Sequence, residues 1–314
     1  MNKKMTTCKI IMYHYVRPIK NSPFPNIKGL EVECFERQIK FFQKNFHFIS
    51  ISDILDCVYQ NKELPENSIL LTFDDGFKDH YQYVFPLLKK LEINAAFFPP
   101  ALPIVENCVL DVHKIHFILA STPNHQLIID EIFDLIKKFS VEFELKSPKE
   151  YFSELSIPNR FDSKEIVFIK RILQRNLPYA LRTKITDSLF KKFIQESESN
   201  FSSKLYMNFD EMHEMTDNGM YFGSHSYSHQ WLSYLSSKEL ESEIDKSLKF
   251  CNKINPDIKD LVMCYPYGDY SQDVISQLAK SGFKAGLSTK VGDTTISNSN
   301  IFSLERYDTN DFSQ

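Results

Sequence analysis

Ser68-Ile69-Leu70-Leu71-Thr72-Phe73-Asp74-Asp75-Gly76-Phe77 is the stretch whose reading decides the fold of this chain. Ile69 to Phe73 is apolar or β-prone without alternation, the pattern of a strand covered on both faces, as in a parallel sheet. It stops on two adjacent carboxylates and a glycine. Neighbouring acids repel and are costly to desolvate, so packing gives a buried strand no reason to end on Asp74-Asp75. The plain alternative is an Asp-Gly turn that caps a strand end in water. The rest of the chain has to decide between them.

The 314 residues suffice for one large α/β domain or two ordinary ones. A formal charge of -4, with no basic stripe, gives no sign of a nucleic-acid partner. Met1-Asn2-Lys3-Lys4 starts like an export signal, but Lys9 interrupts the apolar segment that should follow. No apolar run approaches the ~20 residues of a membrane span. The six cysteines are scattered without a CxxC pair, which reads as free thiols. The expectation is a cytoplasmic protein with no transmembrane segment.

Lys9 to Tyr13 reads as a short strand ending at His14. Phe35, Ile39, Phe41 and Phe42 recur at helical spacing, Phe46 to Ile51 alternates as a second strand, and Ser52 precedes a helix from Asp53 to Tyr59. Past Gly76, Tyr83, Leu87, Leu88 and Leu91 form a helical stripe with Pro86 as an expected kink, and Asn94 to Phe98 is the fourth strand.

Residues 101–206 differ. Asp111 is placed to cap a helix through Ala120. His125 to Phe139, Ser163 to Leu177 and Tyr179 to Ile194 are helical, and no strand-like alternation stands out. This segment is expected to be a helical insertion, a lid or interaction region, on a body made of residues 1–100 and 207–314. Strand and helix then alternate again. Asn208 with Glu211, and Ser236 with Glu239, are capping pairs. Strands are expected at Met220 to Ser224, Leu261 to Tyr265, Phe283 to Ser288 and Ile301 to Leu304.

The total, about seven or eight strands mostly joined by helices, points to an α/β fold: a distorted (β/α) barrel with a helical insertion. In such folds chemistry gathers where strands end. His14, Asp74, Asp75, His225, Tyr267 and Arg306 all fall at or just past expected strand C-termini. A doubly wound open sheet would place them at the same edge.

His225-Ser226-Tyr227-Ser228-His229 sets two imidazoles four residues apart, able to face one cation or to sit as surface histidines in a polar loop. A metal would explain both this pair and the acidic strand end, because a two-His, one-carboxylate set leaves positions open for water and substrate.

Thr72-Phe73-Asp74-Asp75-Gly76, His225-Ser226-Tyr227-Ser228-His229 and Tyr265-Pro266-Tyr267-Gly268, in this order and each after a strand, resemble the motifs of the polysaccharide deacetylases. The resemblance covers about residues 66–100 and 207–310. It implies a metal-dependent hydrolase of N-acetyl groups on sugars. Asp75, His225 and His229 would hold a divalent cation, most often zinc, and Asp74 would be the general base. A backbone N–H near Tyr267 would stabilise the oxyanion.

Two departures stand out. Where family members often carry an Arg ahead of the Pro-Tyr motif, this chain reads Val262-Met263-Cys264, and Arg306 resembles the position that supplies it in one branch. No histidine follows His229 to act as the late general acid. Met12-Tyr13-His14-Tyr15-Val16 resembles the start of the biofilm poly-N-acetylglucosamine deacetylases, which implies His14 as that acid. Asp111, His113 and His116 invite a second cation site, but an ordinary polar helix start explains them better. Trp231 is either a sugar platform or a core residue.

The function expected is removal of an N-acetyl group from an acetamido sugar of a glycan or glycan precursor. The alternatives are a deformylase on a lipid-linked amino sugar and an inactive sugar-binding scaffold.

Overall fold

Parallel pairing begins with strands Thr7–Tyr13 (β1), His47–Phe48 (β2) and Ser68–Asp74 (β3). The structure is a computed structural model that describes residues 7–158 and 162–312, so the Met1-Asn2-Lys3-Lys4 start lies outside the described residues. β1 and β3 run side by side from Cys8 opposite Ser68 to Tyr13 opposite Phe73, and every residue of β3 is buried. That burial is what the unbroken apolar run requires. The remaining strands are Ala96–Phe98 (β4), Tyr221–Phe222 (β5), Val262–Cys264 (β6), Ala285–Leu287 (β7), Thr294–Thr295 (β8) and Tyr307–Asp308 (β9).

From β1 the ladder passes to β3, β4 and β5, all parallel. A single bridge, Ser224 to Met263, carries it to β6, which pairs with β7. Another, Leu287 to Leu304, leads towards β9, and β9 pairs with β1. The ladders thus form a seven-stranded sheet and a separate β6–β7 pair, with single bridges from Ser224 and Leu304 flanking that pair. β2 shares the β3 edge with β4, and β8 adds antiparallel to β1.

Register aligns four aromatic rings across this sheet. Tyr13 stacks on Phe73 at 4.9 Å, Phe73 on Phe97 at 4.9 Å, and Phe97 on Phe222 at 5.5 Å. Each such pair contributes about 0.5–1.5 kcal/mol beyond the area it buries. Because side chains alternate, Phe73 in this stack leaves Thr72 and Asp74 on the opposite face. The ladder therefore fixes which way the first carboxylate points.

The capping pairs Asn208/Glu211 and Ser236/Glu239 close reciprocally on helices Phe209–Asp217 and Ser237–Ile254. Elsewhere the boundaries move. The helix expected from Asp53 begins at Ile51, because Ser50 rather than Ser52 forms the capping box with Asp53, and the preceding strand shrinks to β2. Phe41 is 49% exposed, off the buried stripe of its helix. The kink expected at Pro86 is instead a π-turn at His80–Val84, and Pro86 sits in the first turn of the helix that follows, where its missing N–H costs nothing. The strand expected at Ile301 to Leu304 is only a bridge at Leu304.

The chain divides into two compact units, Met1–Arg17 with Gly29–Asn107 and Ser202–Gln314, and Pro18–Lys28 with Cys108–Phe201. The second contains helices Asp111–Ser121, His125–Phe139, Pro148–Leu155, Lys164–Arg171 and Tyr179–Ile194. Leu110, not Asp111, is the N-cap of its first helix, and Asp111 instead accepts a hydrogen bond from Thr183. Buried Lys114 meets Asp187 at 2.5 Å and Glu198 at 2.8 Å. An ammonium already fills that acidic cluster, which is a physical reason for no cation to bind beside His113 and His116. No helix among the described residues is long and apolar enough to cross a membrane.

Candidate metal centre and active site

β3 ends on Asp74, and the chain turns sharply at once: Asp75 has φ 71° and Gly76 φ 63°. A Cβ on Gly76 would stand 2.5 Å from Pro99 Cβ, so the turn can approach the neighbouring strand only because that residue has no side chain. Past β5, the loop carrying His225 and His229 is stitched internally. Ser226 N–H donates to Ser224 Oγ, His229 N–H to Ser226 Oγ, and the Ser228 hydroxyl to Glu243. Ser226, His229 and Tyr267 also lie at positive φ, at 61°, 58° and 58°. Left-handed backbone at such non-glycine residues costs on the order of 1–3 kcal/mol each, and here it gathers around one point.

That point is an Asp-His-His cluster. Asp75 Oδ1 stands 3.4 Å from His229 Nε2 and 3.6 Å from His225 Nε2, with all three side chains buried. His225 Nδ1 lies 2.7 Å from the Cys264 carbonyl, which can only accept, so Nδ1 carries the hydrogen and Nε2 presents a lone pair. Burial pushes the His225 pKa down, favouring the neutral form that ligates. Two ligands ~2.1 Å from a tetrahedral ion stand ~3.4 Å apart, so the observed spacings fit a divalent cation. A second group, Asp74, His225 and Cys264, is also close enough to hold an ion. It is a poorer site, because burial raises the Cys264 thiol well above its ordinary value and Asp74 is already engaged.

What engages Asp74 is Arg306. The guanidinium meets both carboxylate oxygens, Nη1 to Oδ1 at 2.9 Å and Nη2 to Oδ2 at 2.8 Å. It also donates to Thr72 Oγ1 and to the Ser288 carbonyl, and it is fully buried. Burial alone would raise the Asp74 pKa, but the Arg306 charge and hydrogen bonds outweigh it and hold the group at about 2. Asp74 is therefore an anion at neutral pH, fixed in the plane of the fork. His14 follows β1 and brings Nε2 to 4.0 Å from Asp74 Oδ2, with its side chain 41% exposed. The Tyr267 ring meets His229 edge-on at 4.7 Å and stacks on Trp231 at 4.4 Å, so Trp231 is half-buried in an aromatic pair beside the cluster.

The seven residues given roles by the family resemblance are thus in the strand-bearing unit. Asp75, His225 and His229 converge, Asp74 lies next to them with Arg306 and His14, and Tyr267 touches His229. Thr72, Cys264, Ser288 and Glu243 support the cluster and were not anticipated, because they act through backbone carbonyls, a hydroxyl and a loop contact that leave no pattern in sequence. A cavity of about 300 Å³ lined by Ile27, His116, Leu119 and Ile166 belongs to the helical unit and includes none of these residues.

Fold and site together define an α/β protein with a buried carboxylate–imidazole cluster, close enough to hold a cation, at the C-terminal edge of a parallel sheet. The sequence model of the family described as polysaccharide deacetylase matches residues 61–116 and 183–286, slightly more than half of the chain, and the chain belongs to that family. A putative polysaccharide deacetylase, YxkH of Bacillus subtilis (strain 168), is 29% identical over 97 residues, 31% of this chain and 33% of that protein. The poly-beta-1,6-N-acetyl-D-glucosamine N-deacetylase of Escherichia coli (strain K12) is 31% identical over 72 residues, 23% of this chain and 11% of that protein. The matched stretches thus span a third or less of these curated relatives. In fold, the chain is similar to the Streptococcus pyogenes deacetylase PplD in complex with acetate, at TM-score 0.61 and 16% identity over 97% of this chain and 93% of that one. It is also similar to IcaB from Ammonifex degensii, at TM-score 0.52 and 15% identity over 96% and 91%.

Proposed function

We propose that this protein is a divalent-metal hydrolase that removes the N-acetyl group from an acetamido sugar. The observation that carries the reading is the Asp75–His225–His229 cluster lying next to a carboxylate, Asp74, that is held ionised by Arg306 without being used up as a ligand. A cation held by that cluster, with zinc the ion best matched to two imidazoles and one carboxylate, would polarise the amide carbonyl and acidify water.

The chain's own residues supply the rest. Asp74 accepts the proton of the attacking water, and Arg306 keeps it oriented and charged until then. The Tyr267 backbone N–H, presented by a left-handed turn, donates to the oxyanion as the carbonyl becomes tetrahedral. His14, within reach of Asp74 yet open to solvent, protonates the departing amine. The Tyr267–Trp231 pair beside His229 offers an aromatic surface for the apolar face of a sugar ring.

The glycan named for the Escherichia coli relative, poly-beta-1,6-N-acetyl-D-glucosamine, is the first substrate to test. All six cysteines are free thiols, which supports a reducing, cytoplasmic setting and a glycan precursor as the natural substrate. The helical unit would act as a lid or partner-binding region. The experiment is acetate release from β-1,6-linked N-acetylglucosamine oligomers, with and without chelator, alongside metal analysis. Formate release from an N-formyl sugar instead would make it a deformylase. Tight sugar binding by metal-loaded protein with neither product would make it a binding protein.

A further inference from the structure

His80 lies outside every motif discussed so far, yet it is fully buried at the start of the π-turn His80–Val84. Its ring sits among Phe73, Phe77 and Phe97, with centroids 5.3, 5.8 and 5.9 Å away. Its Nε2 lies 2.8 Å from the His14 carbonyl, so Nε2 carries the hydrogen. Nδ1 is buried with no hydrogen-bond partner among the described residues. A hydrocarbon would suit this aromatic box better than an imidazole with one stranded nitrogen, unless the other nitrogen does something a hydrocarbon cannot. The π-turn is what aims it, since the extra residue in that turn shifts the side chain off the usual helical face.

The segment that His80 grips is the one bearing the general acid. His14 stands at the exit of β1, and among the described residues its side chain makes one polar approach, to Asp74 at 4.0 Å. A half-exposed imidazole with so little holding it depends on its backbone for direction. His80 holds that backbone at the His14 carbonyl, and its neighbour Asp79 accepts from the Arg17 side chain three residues further along, at 2.5 Å. The carbonyl bond sets the 14–15 peptide plane and with it the direction in which the His14 Cα–Cβ bond points.

We propose that His80 is a positioning residue for His14, its Nε2–H holding the backbone from which the acid reaches the leaving nitrogen. This rests on the reading of His14 given above. Burial lowers the His80 pKa to about 4, which keeps the ring neutral and the single donor in place at working pH.

A glutamine places its amide near Nε2 and an asparagine near Nδ1, so the two amides separate the nitrogens. With β-1,6-linked N-acetylglucosamine oligomers, His80→Gln should keep kcat within about threefold of the parent, whereas His80→Asn and His80→Leu should lower it about tenfold or more. KM and bound metal should stay within twofold. In a His14→Ala background, His80→Leu should cost less than twofold, because the residue it positions is gone. Equal losses in Gln and Leu, or an undiminished loss in the His14→Ala background, overturn the proposal. Imidazole 15N NMR gives a readout that needs no turnover: His80→Leu should displace the His14 resonances and His80→Gln should restore them. A parent enzyme that releases no acetate but shows this NMR pattern refutes the proposed function and leaves the positioning intact. Unmoved His14 resonances in His80→Leu refute the positioning.

Discussion

Removing the guanidinium that clamps Asp74 tests the central electrostatic claim. In Arg306→Met a chain of similar length replaces a fully buried Arg, and the carboxylate it held stays behind, itself only 2% exposed at the side chain. With Arg306 present the Asp74 pKa falls from 3.8 to about 2. That shift is worth about 2–3 kcal/mol of folding stability. The folded-state value is the depressed one, so this contribution is complete above pH ~4 and is lost as pH falls towards ~2. Without Arg306 only burial and weaker neighbours remain, and burial raises the pKa. The variant should therefore lose about 3–5 kcal/mol, the usual cost of stranding one member of a buried pair. It should also lose about 10²-fold or more in kcat at neutral pH, since a protonated Asp74 is no base. Urea denaturation at pH 7 and pH 4, with acetate release across the same range, measures both. The stability gap between parent and variant should narrow as the medium is acidified. Asp74→Asn combined with Arg306→Met should regain part of the stability, no lone charge remaining, while staying inactive. A variant with parental kcat and an unchanged pH profile would show that Arg306 does not keep the base ionised.

Further outcomes follow from the cluster and its turn. Asp74→Asn should retain bound metal and lose turnover by about 10²-fold or more, whereas His229→Ala should lose both; equal metal content in the two, by elemental analysis, contradicts the division between ligand and base. Chelator should abolish activity and lower the melting temperature, and zinc at a hundred times its Kd should return about 2.7 kcal/mol of stability; a melting curve indifferent to metal removes the site. Gly76→Ala should destabilise by roughly 2 kcal/mol or more, from a left-handed φ and a 2.5 Å approach to Pro99, and calorimetry showing a neutral effect would mean the turn relaxes freely.

The sequence carried the body of this fold where periodicity was backed by chemistry. β3 was legible because five residues in a row had no polar face to give to water, and Asp74-Asp75 because charge at that spot had no packing excuse. Capping pairs such as Ser236 with Glu239 marked helix starts because the motif satisfies its own backbone donors. Short strands were drawn too long: the one expected from Met220 to Ser224 is the two-residue β5, the one from Ile301 to Leu304 is a single bridge, and β9, which begins at Tyr307, is too short to leave a pattern. The π-turn at His80 was invisible for a different reason. It ends at Val84, ahead of Leu87, Leu88 and Leu91, so the stripe that marks the helix lies mostly beyond it, and Pro86 offered a more familiar cause for irregularity. Arg306 could be assigned only by resemblance, because nothing local to it signals a partner so distant in sequence.

That distance has a consequence for how the molecule comes together. Asp74 and Arg306 are separated by 232 positions, whereas β1, β3 and β4 lie within one continuous early stretch. Loop-closure entropy makes a contact across so wide a span costly to form. One buried fork therefore ties the segment around residue 306 to the end of β3. Any local opening of that late segment uncovers a lone carboxylate at the heart of the sheet, so fraying at one place is felt as charge imbalance at another.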